Sequence, residues 1–205
     1  MGTGKRQVWI PIVGVLAFLA IVVAIVVQLW VNRGPDFPFK EPAADFVLDN
    51  LDGQKVSLSD TDGKVRLVYF YYASCPDVCQ PTTFMLSKVQ NKLKDKNAFG
   101  NKTALYSITF DPERDTQEAL TEFAQRFGAD LSGWYFLRGE EAYTLEVAQQ
   151  YGIYVKKHEN GDITHANVFF LIDKHGNIRN HYYPSDYSLT EDEIVRDMLA
   201  LTREK

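Results

Sequence analysis

Cys75 and Cys79 are the only two cysteines of this 205-residue chain. They stand in the segment Ser74-Cys75-Pro76-Asp77-Val78-Cys79. A thiolate is both a nucleophile and a soft metal ligand, so a paired-thiol loop supports redox chemistry or metal binding. The loop follows the apolar run Val65–Tyr71, which reads as a buried strand. It precedes Leu86, Val89 and Leu93, which recur on one face of a helix. This spacing predicts that the helix begins at Cys75, with Pro76 in its first position. Backbone N–H groups and the helix dipole would favour the thiolate there. Cysteines at i and i+4 of a regular helix hold their Cβ atoms about 5–6 Å apart. A disulfide wants about 3.8 Å, whereas a metal bound about 2.3 Å from each sulfur accepts the wider separation. The spacing therefore suits a metal at least as well as a disulfide and excludes neither. A purely structural bridge would close a very short loop and remove little entropy from the unfolded chain.

Two thiolates make an incomplete metal site, so a third ligand is sought among the four histidines. His175 falls in a turn after Asp173 and reads as solvated. His181 ends a strand beside Tyr182 and Tyr183 and reads as surface packing, and His158 follows Lys156 and Lys157 in a polar loop. His165 differs, because it precedes the apolar run Val168–Ile172. A fold that brings the start of that strand against the thiol loop makes it a ligand, and otherwise it is a core histidine. Asp77 reads as a helix cap or a solvated acid. The acids and Arg114 of Asp111–Asp115 read as a turn and helix cap, with lining of the site as the alternative. Tyr72 is strand core that could face the thiols.

The elements that must position these residues alternate along the chain. Phe46–Leu48 and Lys55–Leu58 flank Asp52-Gly53, a hairpin signal. After the thiol loop and its helix comes the strand Ala104–Phe110. Asp115 with Glu118 forms a capping-box pattern before a helix with Leu120, Phe123, Ala124 and Phe127 on its apolar face. Trp134–Leu137 is a short strand, and Thr144, Val147, Ala148 and Tyr151 mark another helix. Val168–Ile172 turns at Lys174–Asn177 into Ile178–Tyr182, and Thr190 with Glu193 opens the last helix. A β-α-β half followed by a hairpin and a helix predicts an α/β thioredoxin-like fold, with a central mixed sheet, flanking helices and an N-terminal hairpin. In that plan the active thiols lie between the first central strand and its helix.

Residues 8–31 carry no charge. As a helix these 24 residues would span about 36 Å, enough for a hydrocarbon core of about 30 Å. The stretch reads as an uncleaved signal anchor, and Lys5 and Arg6 before it favour a cytoplasmic N-terminus. The expected organisation is a short cytoplasmic segment (1–7), a transmembrane anchor (8–31), a Pro/Gly-rich tether (32–42) and an extracytoplasmic domain (43–205) at a bacterial cell membrane. Residues 41–205 hold 18 basic and 26 acidic side chains, a net charge of −8. That balance argues against nucleic acid as a partner.

Over roughly residues 44–183 the chain resembles the Sco/SenC family of copper-delivery proteins. The resemblance rests on Cys75-Pro76-Asp77-Val78-Cys79, on Asp111-Pro112-Glu113-Arg114-Asp115-Thr116 after a strand, and on His165 before Val168–Asp173. It implies a thioredoxin-like domain that binds copper, Cu(I) or Cu(II), through Cys75, Cys79 and His165. It further implies a role in assembling the dinuclear copper centre of cytochrome c oxidase subunit II, with copper received from an unidentified donor. Many relatives have Pro directly after the second cysteine and Asp directly before the histidine; here Gln80 and Thr164 stand there. The missing acid bears on the orientation and basicity of the imidazole.

The competing reading is a membrane-tethered thiol–disulfide oxidoreductase, with Cys75 and Cys79 as redox-active thiols. Thioredoxin-type oxidoreductases usually set a cis-proline beside the thiols, before a late strand. No proline occurs between Pro112 and Pro184. The weight therefore falls on a copper chaperone rather than an enzyme.

Overall fold

The computed structural model describes residues 9–31, 34–75, 77–159 and 161–204. The chain divides into two units, Met1–Asp36 and Phe37–Lys205. In the first, helix α1 runs from Trp9 to Val31. Among the described residues no helical stretch is long and apolar enough to cross a membrane. The longest run of α1 with described side chains is residues 13–25, a rise of about 20 Å at about 1.5 Å per residue. The expected cytoplasmic segment, Lys5 and Arg6 included, and Pro76 lie outside the described residues.

In the second unit strand β4, Val65–Tyr71, has every residue buried. An apolar run with no polar alternation belongs at the centre of a sheet covered on both faces. Ten strands are described: β1 (Glu41–Pro42), β2 (Val47–Asp49), β3 (Lys55–Ser57), β4, β5 (Thr103–Thr109), β6 (Trp134–Leu137), β7 (Lys156–Lys157), β8 (Ile163–Thr164), β9 (Phe169–Ile172) and β10 (Asn177–Tyr182). The helices between them are α2 (Cys79–Asp95), α3 (Gln117–Arg126) and α4 (Glu141–Gln150), and α5 (Glu191–Arg203) follows β10.

The main sheet has the order β1-β10-β9-β4-β5-β6. β4, β5 and β6 are parallel, and β9 runs antiparallel to β4 with Tyr69 opposite Phe169. Alternation along β4 sends Tyr71 against Phe123 of α3 and, on the opposite face, Phe70 against Tyr151 and Phe170. Helix α2 turns Leu86, Val89 and Leu93 inward, and Lys88–Glu191 and Lys92–Asp192 ion pairs link it to α5. β2 and β3 form the expected hairpin, closed where Gly53 adopts φ 77°. Thr190 caps α5 as its spacing predicts, accepting from the Glu193 amide.

Three expectations need correction. Helix α2 begins at Cys79, not at Cys75, so the two thiols do not share a helical turn. Helix α3 is capped by Thr116, whose side chain accepts from the Ala119 amide, and not by Asp115. Glu41 and Pro42, inside the stretch read as tether, pair with β10 and extend the sheet by an edge strand. Proline is tolerated there because an edge leaves its missing N–H unneeded. The small hairpin β7–β8 is an addition that the sequence pattern did not mark.

Candidate metal centre

The sheet delivers the thiols. β4 ends at Tyr71, and the chain turns so that the Cys75 amide donates to the Tyr72 carbonyl at 3.2 Å. Four residues on, Cys79 opens α2, where the Val78 cap position makes no side-chain hydrogen bond. The helix N-terminus therefore leaves amide donors facing the loop. Cys75 is 4% exposed, Cys79 is fully buried, and both are free thiols. The two sulfurs lie close enough for each to shift the other's ionisation.

The pair is electrostatically unequal. Burial pushes the Cys75 thiol up, but the neighbouring Cys79 thiol, the Asp77 and Cys79 backbone and the Tyr72 hydroxyl outweigh it, and the net shift is downward. Burial and the neighbouring Cys75 sulfur raise Cys79 to about 12. Of the two thiols, Cys75 is therefore the easier to ionise.

Two tyrosines back the thiols. Tyr69 is fully buried, its hydroxyl beside Cys79 and Thr82 but without a well-aligned hydrogen bond. The Tyr72 hydroxyl lies near the Cys75 sulfur, and burial, with that sulfur beside it, raises its own pKa to about 12. The sequence pattern placed both tyrosines in the strand core and flagged only Tyr72 as facing the thiols.

The Asp111–Asp115 segment supports the loop from behind. Asp115 is buried and accepts from the Ala73 amide and the Thr109 hydroxyl. Buried Asp111 pairs with Arg114 and, at 3.2 Å, with Lys157 of β7. Arg114 also lies over the Tyr72 ring, 5.6 Å from its centroid. Asp77 is exposed and caps nothing.

His165 follows β8 and is partly buried. Its Nδ1 lies 2.9 Å from the Ala166 carbonyl oxygen. A carbonyl only accepts, so Nδ1 carries the proton and Nε2 keeps its lone pair for a ligand. Burial holds the ring's pKa below the ordinary histidine value, which favours the neutral form. The ring packs edge-on against Phe110 at 4.7 Å and Tyr72 at 6.0 Å. Tyr72 thus stands between the thiol loop and His165. Among the described residues, no three His, Cys, Asp or Glu side chains are gathered closely enough to hold a metal ion. The structure brings the two thiols together and leaves His165 one aromatic ring away.

The other histidines are engaged elsewhere. His158 shares a 2.8 Å hydrogen bond with Thr164, so the residue that replaces the family's acid turns away from His165. His181 stacks on Phe39 at 4.5 Å. The His175 amide donates to Asp173 in the β9–β10 turn.

The SCO1/SenC family profile matches residues 38–203. The chain belongs to the SCO1/SenC family. Its fold agrees with solved members. A SCO1/SenC family lipoprotein from Bacillus anthracis superposes with a TM-score of 0.75 at 28% identity, over 83% of this chain and 100% of that one. BsSco, described as having a disulfide switch and as a member of the Sco family of cytochrome c oxidase assembly proteins, gives 0.73 at 28% identity, over 85% and 100%. ScoI of Bradyrhizobium japonicum, solved with copper bound, gives 0.66 at 27% identity, over 78% and 99%. The thioredoxin-like architecture expected from the sequence is therefore the one found.

Proposed function

We propose that this protein is a copper metallochaperone of the membrane surface, that it holds copper through Cys75, Cys79 and His165, and that it serves assembly of the dinuclear copper centre in subunit II of cytochrome c oxidase. The observation that carries the reading is the buried pair of free thiols at the start of α2, with the partly buried His165 one aromatic ring away. Two soft sulfurs and one imidazole suit Cu(I), and Cu(II) outcompetes other divalent first-row ions at such a mixed site. Structural zinc wants four closed ligands. The copper-bound ScoI relative supports the metal, and the description of BsSco supports the oxidase. On this reading His165 must leave its Phe110 seat to complete the ligand set, and a three-ligand site can pass its copper on by exchange.

The anchor is part of the same proposal. Its support lies in the sequence: residues 8–31 are 24 residues with no charged side chain, and as a helix they would span about 36 Å against a hydrocarbon core of about 30 Å. A single span with the N-terminus inside would place residues 43–205 on the extracytoplasmic side, near an exported copper acceptor and an as yet unidentified donor.

A second reading, thiol–disulfide exchange on exported cysteines, is favoured by the unequal thiols, which pair a reactive Cys75 with a protected Cys79. One experiment separates the two: anaerobic copper titration of the reduced full-length protein in detergent, followed by absorbance and electron paramagnetic resonance. One tight Cu(II) per chain, lost in Cys75→Ala and in Cys79→Ala, supports the chaperone. No stoichiometric uptake, with rapid disulfide turnover instead, replaces it with the oxidoreductase.

A further inference from the structure

We propose that Lys157 is a positioning residue for His165: its ion pairs with Asp111 and Glu141 clasp the β7–β8 hairpin, keep the imidazole on its Phe110 seat, and open when the imidazole moves to the thiols. This role rests on the copper reading for where His165 must go, and adds what holds it back until then.

Strands β7 and β8 pair with each other and, among the described residues, share no ladder with the main sheet. Backbone hydrogen bonds therefore do not fix where the hairpin sits, and its side chains must. Lys157 stands opposite Ile163 in the ladder, so the two share a face. Ile163 is buried, and the Lys157 ammonium lies 3.2 Å from Asp111 and 2.9 Å from Glu141. Both partners belong to firm elements. Glu141 opens α4. Asp111 is buried just after β5, its amide donating to the Thr109 hydroxyl at 3.0 Å and its carbonyl accepting from the Asp115 amide at 2.9 Å. The hairpin is the part that can give, and the 2.8 Å hydrogen bond between His158 and Thr164 braces it to move as one piece.

The clasp acts on both sides of the histidine. Asp111 follows Phe110, whose ring meets His165 edge-on at 4.7 Å. Ile163, opposite Lys157, lies two residues before His165. The chemistry also suits release. The Lys157 side chain is 32% exposed, so water can take the place of its partners. Asp111 keeps its pairing with Arg114 when Lys157 leaves, and no buried charge is stranded.

The test uses the full-length protein in detergent and Lys157→Met, which keeps an apolar stem and removes the charge. In the metal-free reduced protein, nuclear Overhauser contact between the His165 and Phe110 rings reports the seat directly. It should weaken in Lys157→Met and return in Lys157→Arg. On Cu(II) loading, arrival of the imidazole is the step whose rate does not depend on copper concentration and which is absent from His165→Ala. That step should run at least about threefold faster in Lys157→Met. Added salt screens a partly exposed ion pair, so it should speed the step in the wild type and leave Lys157→Met unmoved. An unchanged ring contact overturns the clasp, and a step no faster than in the wild type overturns its holding His165 back. If the wild type takes up no copper, the chaperone reading falls, and the ring contact still decides whether Lys157 seats His165. Should Lys157→Met fail to fold, Glu141→Gln removes one of the two carboxylates and should move both readouts the same way by less; no change there overturns the clasp.

Discussion

Asp115 accepts a hydrogen bond from the Ala73 amide at 2.8 Å, across 42 residues of chain. Ala73 lies two residues before Cys75, so this carboxylate fixes the path by which β4 hands the chain to the thiols. The Thr109 hydroxyl, at the end of β5, donates to the same oxygen. Asp115→Ala would strand both donors. A buried donor left unsatisfied costs about 1–3 kcal/mol, and urea denaturation should show a loss in that range. Asp115→Asn keeps an acceptor and should lose less. Hydrogen exchange at the Ala73 amide should quicken in the alanine variant, and unchanged protection there would show that the loop is held by something else.

The inequality of the thiols predicts a selective reaction. Cys75 lies below the ordinary thiol pKa and Cys79 is pushed up to about 12. Alkylation needs the thiolate, so iodoacetamide at pH 7.5 should label Cys75 at least about tenfold faster than Cys79. Peptide mapping of the reduced wild type by mass spectrometry measures both rates in one sample. Equal labelling would mean that the charge is shared rather than settled on Cys75.

The long elements were legible in the sequence because period and burial agree there: β4, the β2–β3 hairpin, β9 with β10, and the caps of α5. The ligand candidates were legible because only two cysteines exist and only one histidine stands before a buried strand. What failed was local geometry set by distant contacts. The start of α2 moved to Cys79 because the chain first turns on the Tyr72 carbonyl. Asp115 fits a capping box one residue too early, and its carboxylate is instead taken by Ala73 and Thr109, which no sequence window contains. β1, β7 and β8 hold two residues each, too few to carry a period. The place of Tyr69 beside Cys79 was hidden by its aromatic surroundings, since a tyrosine in a strand reads as core until its hydroxyl is located.

Remote from the site, Lys94 at the end of α2 pairs with Asp130 at 2.6 Å. With Ser132 it lowers Asp130 to about 2 from an ordinary 3.8. A depressed carboxylate binds fewer protons folded than unfolded, so its contribution is present above about pH 3.8 and is lost as pH falls through about 2. Asp130→Asn retains an acceptor for the Ser132 amide and removes the charge. Because the pair is largely solvated, the variant should lose no more than about 1 kcal/mol at neutral pH. The gap to wild type should close near pH 2 in parallel chemical denaturations. A gap that persists there would assign the stabilisation to packing.

His165 carries the most demanding expectation, because the structure leaves it outside any metal-ready cluster. Its Nδ1 proton is committed to the Ala166 carbonyl, and its ring rests on Phe110. If it is the third ligand, His165→Ala should leave the two thiols able to take up Cu(I) but weaken Cu(II) at least about tenfold, since nitrogen donors favour the oxidised ion. The visible spectrum should change with it, and the imidazole coupling should vanish from the resonance signal. Phe110→Ala should instead free the ring and leave that coupling intact. An unchanged Cu(II) spectrum in His165→Ala would take the histidine out of the ligand set, and its neutral, partly buried state would then be a packing role beside Tyr72 and Phe110.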